Sequence, residues 1–139
     1  MAEPGQGALT AGRLARFVDA LNRMDGDAVE RFLVPDAVWE IHSLGLRLSG
    51  VGAIREFVEE WEAAYESFAT EVAEARILGA DIAIIEIRQK GRVKSSAGEA
   101  SQRIAWVTTW SQGLVARIDG YQHADEARAA AERLAESSR

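Results

Sequence analysis

The stretch from Asp25 to Trp61 constrains the fold of this chain more than any other part of it. Residues 25–41 (DGDAVERFLVPDAVWEI) predict a short helix capped by Asp25, a turn at Pro35-Asp36 and a strand over 37–42. Residues 49–61 (SGVGAIREFVEEW) add a Gly-rich link and a strongly amphipathic helix. This order of elements predicts helices packed on a sheet around one pocket.

The period of the apolar residues defines the other elements. Helical spacing predicts a first helix from Thr10 to about Met24, and Pro35 is expected to stop the second helix. The apolar stripe of the third helix consists of Ile54, Phe57, Val58, Trp61 and Tyr65. Alternation then predicts four long strands, Ser67–Leu78, Asp81–Lys90, Ser101–Ser111 and Leu114–Gln122, with a polar hairpin loop at 91–100. An Ala-rich helix is predicted over Asp125–Glu136.

The length of the chain suits one domain with one core. It has 139 residues, of which 47% are hydrophobic and 27% charged, as is ordinary for a globular protein. Residues 1–9 are small and polar and contain Gly and Pro, so we expect a flexible tail followed by a single domain over 10–139.

Composition excludes several classes of function. The net charge is −6 and no basic patch stands out, so a nucleic-acid partner is not expected. There is no cysteine, and the two histidines lie far apart in sequence, so neither a dedicated transition-metal site nor another cofactor is expected. No apolar run approaches the roughly 20 residues of a membrane helix. No secretory signal is visible, and we expect a cytoplasmic protein.

Several local marks in this order resemble the NTF2-like superfamily, in particular its SnoaL-like and ketosteroid-isomerase-like members. The resemblance spans about residues 10–124. Its marks are Arg16-Phe17, Asn22, Asp25, Pro35-Asp36-Ala37-Val38-Trp39, Gly50, Ala53-Ile54, Phe57 and the hairpin Trp110-Ser111-Gln112-Gly113-Leu114-Val115. It implies an α+β fold shaped like a cone, in which three N-terminal helices pack on a curved, mostly antiparallel sheet. A mostly apolar pocket lies at the wide end.

The catalytic positions of the isomerases in this family can be aligned with residues of this chain. By resemblance, the oxyanion-donating tyrosine of the isomerases falls on Phe17, their general base on Ile41 and their second acidic donor on Trp106. Phe17 and Ile41 can neither abstract a proton nor donate a hydrogen bond to an oxyanion. The fold is therefore expected without the isomerase chemistry. The Asp–Arg–Asp set of the family's epoxide hydrolases has no match at the same spacing.

Alternation along the strands predicts which residues face the pocket. Trp106 and Trp110 share a face of the third long strand, and they either line the pocket or fill the core. Tyr65 could offer its hydroxyl to a ligand. The predicted ligand-binding set is Phe17, Trp39, Ile41, Phe57, Trp61, Tyr65, Ile104, Trp106, Thr108, Trp110, Ile118 and Gln122.

Charged residues on the last strand belong to the opposite face. Arg117 and Asp119 share that face with Tyr121, and the family often covers it with a second subunit. A homodimer through the outer sheet face is therefore expected. The alternative is that the two charged residues form an ordinary surface pair.

Three residues are candidates for acid–base chemistry. Glu86 and Arg88 interrupt the apolar strand 81–90, either as a buried, functional pair on the pocket side or as outward-facing charges. His42 ends the first strand, either at the pocket mouth or as a surface residue. The predicted catalytic set is His42, Glu86 and Arg88.

Three functions follow from these alternatives. The first is a module that binds a small, largely apolar molecule in an aromatic pocket. The second is an enzyme of cyclase, hydrolase or dehydratase type that acts on a cyclic apolar substrate. The third is a dimeric interaction module whose pocket is vestigial. An inward Glu86 and Arg88 would favour the enzyme, a cavity lined by Trp, Ile and Phe would favour binding, and little cavity volume would favour the third.

Overall fold

The computed structural model describes residues 9–94 and 98–137, apart from the side chain of Val93. Over these residues the chain forms four helices and one six-stranded sheet. The helices are Ala11–Asn22 (α1), Gly26–Glu30 (α2), Val51–Ala63 (α3) and Ala124–Ser137 (α4). The strands are Leu33–Ile41 (β1), Leu46–Ser49 (β2), Tyr65–Leu78 (β3), Ile82–Val93 (β4), Ala100–Ser111 (β5) and Leu114–Tyr121 (β6).

The sheet has the strand order β2-β1-β6-β5-β4-β3. Four of its five pairings are antiparallel, and β1 runs parallel to β6. The predicted α+β class with a mostly antiparallel sheet is therefore confirmed. The two predicted N-caps are also confirmed, because Thr10 accepts a hydrogen bond from the Arg13 amide and Asp25 accepts one from the Ala28 amide, both at 3.1 Å.

Alternation along β4 divides the molecule into an inner and an outer layer. Ala83, Ile85 and Ile87 are buried on the concave side, with α1 and α3. Ile82 and Ile84 are buried on the outer side, against the alanine face of α4. The alanines at 127, 130 and 131 let the helix lie close to the strands, because they add almost no side-chain bulk.

Phe17 lies at the centre of the inner layer and is fully buried. Its ring makes edge-to-face contacts with Phe32 at 5.4 Å and with Trp110 at 5.5 Å between centroids. The Trp110 indole donates to Thr108 Oγ1 at 2.8 Å, and Thr108 donates to the Ala83 carbonyl at 3.0 Å. These contacts tie α1 to the middle of the sheet, and every polar atom in the group has a partner.

One short strand was not predicted from the sequence. The sequence pattern assigns no element between the strand over 37–42 and the link at 49–52, but β2 pairs with β1 there from Val38↔Ser49 to Ile41↔Leu46. Its four residues are too few for a clear period of two. The hairpin turn uses Gly45 with φ of 63°, a left-handed conformation that favours glycine.

The prediction that Pro35 ends the second helix was wrong. That helix ends at Glu30, and β1 begins at Leu33, so Pro35 lies inside the strand. The pairing of β1 with β6 is interrupted between Leu33 and Val38. A proline is tolerated at such an irregularity because its missing N–H is not needed by the neighbouring strand.

The prediction that Tyr65 continues the stripe of the third helix was also wrong. α3 ends at Ala63, and Tyr65 begins β3. Its ring packs beside Gly91, where an added Cβ would come within 2.7 Å of the ring. Helical periodicity could not predict this contact, because it joins two strands that are far apart in the sequence.

The ends of the predicted domain are only partly described. Residues 1–8 of the predicted tail lie outside the described residues, whereas Leu9 is buried in the core. Within the predicted loop at 91–100, β4 continues to Val93 and residues 95–97 lie outside the described residues. Within the described part of the chain, no helix has the length and apolar character needed to cross a membrane.

Phe17→Tyr should lower the free energy of unfolding by about 1–3 kcal/mol, because it adds a hydroxyl to a fully buried site. Urea denaturation followed by circular dichroism measures the change. Phe32→Tyr is the control, since Phe32 is only partly buried and its new hydroxyl has a route to water. Equal stability of Phe17→Tyr and the parent would show that the site holds a hydrogen-bond partner for the hydroxyl.

Candidate functional site

A cavity of about 260 Å³ lies between the concave face of the sheet and the helices α2 and α3. Its aliphatic lining comes from the helices α1, α2 and α3, from the strands β1, β5 and β6, and from the turn after β1. These residues are Leu21, Val29, Leu33, Ile41, Leu44, Val51, Ile54, Val58, Ile104 and Ile118. The volume is close to the lower end of the range typical of small-molecule sites, roughly 300–1,000 Å³.

Five aromatic side chains form a continuous wall of this cavity. Trp106 contacts Trp39 at 5.5 Å, and Trp39 contacts Phe57 at 5.5 Å, both edge to face. Phe57 continues to Trp61 at 6.1 Å, and Trp61 to Phe68 at 6.4 Å. Such contacts hold the rings in fixed orientations, at about 0.5–1.5 kcal/mol per pair beyond burial. The five rings therefore support one another as one continuous surface.

The indole N–H of Trp39 is buried and has no hydrogen-bond partner among the described residues. It lies next to Gly120 of β6, where an added Cβ would be 3.5 Å from Trp39 Nε1 and 3.6 Å from Trp106 Cδ1. Gly120 therefore allows both indoles to approach the strand. A buried donor without a partner is unfavourable by about 1–3 kcal/mol.

Polar side chains lie at the rim of the cavity. On the helical side, Arg55 of α3 contacts Asp27 at 2.8 Å and Glu30 at 2.7 Å, which joins α3 to α2. The hydrogen bond to Asp27 raises the pKa of Arg55 above its ordinary value. On the sheet side, Gln102 donates to Gln89 at 2.8 Å across β4 and β5. The cavity is thus apolar inside and polar at its opening.

The structure brings eight of the twelve predicted ligand-binding residues together around this cavity. These are Trp39, Ile41, Phe57, Trp61, Ile104, Trp106, Ile118 and Gln122. Phe17, Thr108 and Trp110 do not line it, because they form the buried core group beside α1. Tyr65 does not line it either, since its ring packs between Trp61 and Phe68 at the start of β3.

The three predicted catalytic residues do not meet in the cavity. Glu86 and Arg88 lie on the outer face of β4, in register with Ala105 and Arg103 of β5. They line a separate polar cleft of about 280 Å³ beside the start of α4. Of the two orientations that the sequence left open for this strand, the structure has the outward one. His42 also lies on the outer face, at the end of β1.

His42 belongs to a charged cluster on the outer face of β1 and β6. Its Nε2 is 2.9 Å from Asp119 Oδ1, and its ring stacks on Tyr121 at 4.6 Å. Arg117 contacts Glu40 at 2.7 Å and Asp119 at 2.9 Å. The hydrogen bond to Asp119 is the largest cause that raises the pKa of Arg117, and burial raises the pKa of Tyr121.

Several residues at the cavity were missed by the sequence predictions. Ile54 and Val58 were on the predicted helical stripe and could have been included from that signal alone. Phe68, Gln89 and Gln102 could not, because their approach depends on the register of β3, β4 and β5. The meeting of Glu40 with Arg117 and Asp119 depends on the parallel pairing of β1 with β6, which alternation does not reveal.

Solved structures resemble this chain over most of its length. A protein with a ketosteroid isomerase-like fold from Catenulispora acidiphila, solved in complex with trimethylamine, has a TM-score of 0.70 at 16% identity, covering 89% of this chain and 95% of that one. A candidate polyketide cyclase from Sinorhizobium meliloti has a TM-score of 0.64 at 27% identity, covering 80% and 94%. A candidate SnoaL-like polyketide cyclase from Mesorhizobium loti has a TM-score of 0.71 at 17% identity, covering 81% and 99%.

A search of the curated proteins finds no match. The model of the SnoaL-like domain family matches residues 14–118, which is well over half of the chain. The order of helices and strands, the mixed sheet and the cavity in its concave face agree with that match. The chain therefore belongs to the SnoaL-like domain family and has the ketosteroid isomerase-like, NTF2-like fold.

Proposed function

We propose that the protein binds a small, ring-containing and largely apolar molecule in the cavity. The observation that carries this proposal is the continuous aromatic wall from Trp106 through Trp39 and Phe57 to Trp61 and Phe68. Flat ring systems stack well on such surfaces, and transfer of their apolar area from water provides the main driving force. The polar rim would orient a substituent that stays near solvent.

The lining also supports a role other than steroid isomerisation. Ile41 stands where the resemblance places the catalytic base of the isomerases, and it presents only hydrocarbon to the cavity. Trp106 stands where it places the acidic donor. Phe17, at the position of the tyrosine donor, is enclosed in the core. Proton abstraction next to a carbonyl needs a base and a donor in contact with the substrate.

A cyclase-type enzyme is the second candidate. It is favoured by the 27% identity to the candidate polyketide cyclase from Sinorhizobium meliloti. In such a reaction the cavity would fold and orient a reactive chain, and the rim residues Glu30, Arg55 and Glu62 would be the available ionisable groups on the helical side. A vestigial pocket has less support, because the indole rings line the cavity and do not fill it.

Trp106→Leu should weaken the binding of an aromatic probe such as 2-naphthol about tenfold or more. The loss of one stacking surface corresponds to at least about 1.4 kcal/mol. Isothermal titration calorimetry gives the affinity directly, without dependence on tryptophan fluorescence. The control is Phe32→Leu, which also removes a partly buried ring but does not line the cavity. Equal loss in both variants, or binding unchanged in Trp106→Leu, would contradict the proposed site.

We expect no detectable ketosteroid isomerase activity from this protein. The standard absorbance assay with a β,γ-unsaturated ketosteroid measures it, with the uncatalysed reaction as the baseline. The physical reason is that no carboxylate stands at position 41 to remove the proton. Turnover above the baseline that disappears on mutation of Trp106 would refute this expectation.

We also propose that the protein forms a homodimer through the outer face of the sheet. α4 covers the apolar part of that face on β4 and β5, through Ile82 and Ile84. The part that remains for a partner lies on β1 and β6, where Val38 and the charged cluster of Glu40, Arg117 and Asp119 are located.

Light scattering coupled to size-exclusion chromatography should give twice the 15.1 kDa mass of one chain. Val38→Glu should shift the mass toward the monomer, because it adds a third carboxylate to the proposed interface. The control adds a carboxylate at exposed Ala73 of β3, at the other end of the sheet, and Ala73→Glu should leave the dimer intact. A mass near 15.1 kDa for the parent would exclude the homodimer.

A further inference from the structure

We propose that His42 and Glu40 bind a divalent transition-metal ion such as Zn²⁺ on the outer face of the sheet. Asp119 is the residue that positions His42 for this role. The ligands lie on the outer face, because β1 presents Ile41 to the inside and its two neighbours to the outside. Tyr121, which stacks on His42, also borders the cavity. The sequence led us to expect no metal site, since it contains only two distant histidines.

The contact with Asp119 determines which nitrogen of the His42 ring carries the proton. The Asp119 side chain is only 7% exposed, and its Oδ1 lies 2.9 Å from His42 Nε2. Arg117 donates to both oxygens of the same carboxylate, which therefore acts as a hydrogen-bond acceptor in this cluster. The shared proton therefore belongs to Nε2. In neutral His42 this leaves the lone pair, and the ability to bind a metal ion, on Nδ1.

Glu40 presents a free oxygen to that lone pair. Its Oε1 is occupied by Arg117 Nη2 at 2.7 Å, whereas its Oε2 lies 4.0 Å from His42 Nδ1. Zinc binds imidazole nitrogen and carboxylate oxygen at about 2.0–2.2 Å in tetrahedral geometry, which places the two ligand atoms about 3.3–3.5 Å apart. Binding would therefore require the Glu40 carboxylate to move about half an ångström toward Nδ1. In the single chain both side chains are partly exposed, which gives the ion a route from solvent. The same groups lie at the proposed dimer interface, so zinc titrations are paired with light scattering at the same protein concentration.

The charge of the cluster also favours a cation. Two carboxylates, Glu40 and Asp119, face one guanidinium, that of Arg117, so neutral His42 leaves one negative charge in excess. Tyr121 stacks on the imidazole at an interplanar angle of 6° and limits its rotation. Arg133 of α4 also interacts with Tyr121 and acts to lower its pKa, so it is a further positive charge near the cluster.

The arrangement has the parts of a known type of metal site. A metal-binding histidine usually donates its second ring N–H to a carboxylate, which fixes the ring and raises its basicity. Here Asp119 would be that carboxylate, with His42 and Glu40 as the protein ligands. Two protein ligands leave the remaining coordination positions to water, so the site should be weaker than a structural zinc site with four ligands.

The test uses the full chain with no metal-binding tag and Zn²⁺ alone as the probe, in isothermal titration calorimetry at neutral pH. The parent should bind one ion per chain, and His42→Gln should lose at least tenfold in affinity. The chain offers a matched control in its only other histidine, and His123→Gln should bind like the parent. Equal affinity of the parent and His42→Gln, or no binding by the parent, would overturn the proposal.

Asp119→Asn tests the positioning role, with an expected loss of about 10–100-fold in affinity while the ligands remain. Circular dichroism of the apo protein checks that this buried change leaves the fold intact. If a variant at His42 or Asp119 fails to fold, Glu40→Gln replaces it, since the amide retains an oxygen for Arg117.

Nitrogen-15 NMR of the imidazoles gives an independent readout. Zinc should shift Nδ1 of His42 selectively, and an unchanged His42 signal at saturation would rule the site out.

Discussion

The parallel pairing of β1 with β6 determines more of this molecule than any other interaction. It joins a strand near the beginning of the chain to one near its end, with Trp39 opposite Ile118 and Glu40 opposite Asp119. The first pair lies on the concave side and helps to line the cavity, and the second lies on the outer side. A shift of this register by one residue would exchange the two faces, placing carboxylates in the apolar cavity and an indole in the ionic cluster. The burial of Ile118 and of the core around it opposes that shift.

Local patterns in the sequence were sufficient for the class of fold and for most of its elements. The stripe of α3 and the alternation of β5 identified Phe57, Trp61, Ile104 and Trp106, which do line the cavity. These residues could be predicted because the periodicity of a single helix or strand is enough to identify them. They failed where a contact across the sheet decided the outcome. Tyr65 has helical spacing after Trp61, but it begins β3 and packs beside Gly91.

The orientation of β4 shows why the faces of a strand in this fold cannot be assigned from the strand alone. Both of its faces are apolar in their first half, since Ile82 and Ile84 alternate with Ala83 and Ile85. The inner face packs against α1 and α3, and the outer face packs against the alanines of α4. Hydrophobicity therefore gives no preference between the two. The inner face of the strand continues apolar to Ile87, whereas the outer face changes from Ile82 and Ile84 to Glu86 and Arg88. These two charged residues therefore lie on the outer face, at the polar cleft beside α4.

The same alternation limits where ionisable groups can act in the cavity. Over most of β1 and β6 each residue that faces inward is followed by one that faces outward, so Ile41 and Ile118 line the cavity while His42 and Asp119 do not. The end of β6 departs from this rule, because Gly120 and Tyr121 both border the cavity. Helices are free of this constraint, because a residue at the edge of an apolar stripe can reach the rim while its neighbours remain buried. Glu30, Arg55 and Glu62 occupy such positions on α2 and α3. Any acid–base step on a bound molecule would thus have to draw on this helical rim or on the hydroxyl of Tyr121 at the end of β6, because the aromatic wall that would hold the ring carries no ionisable group.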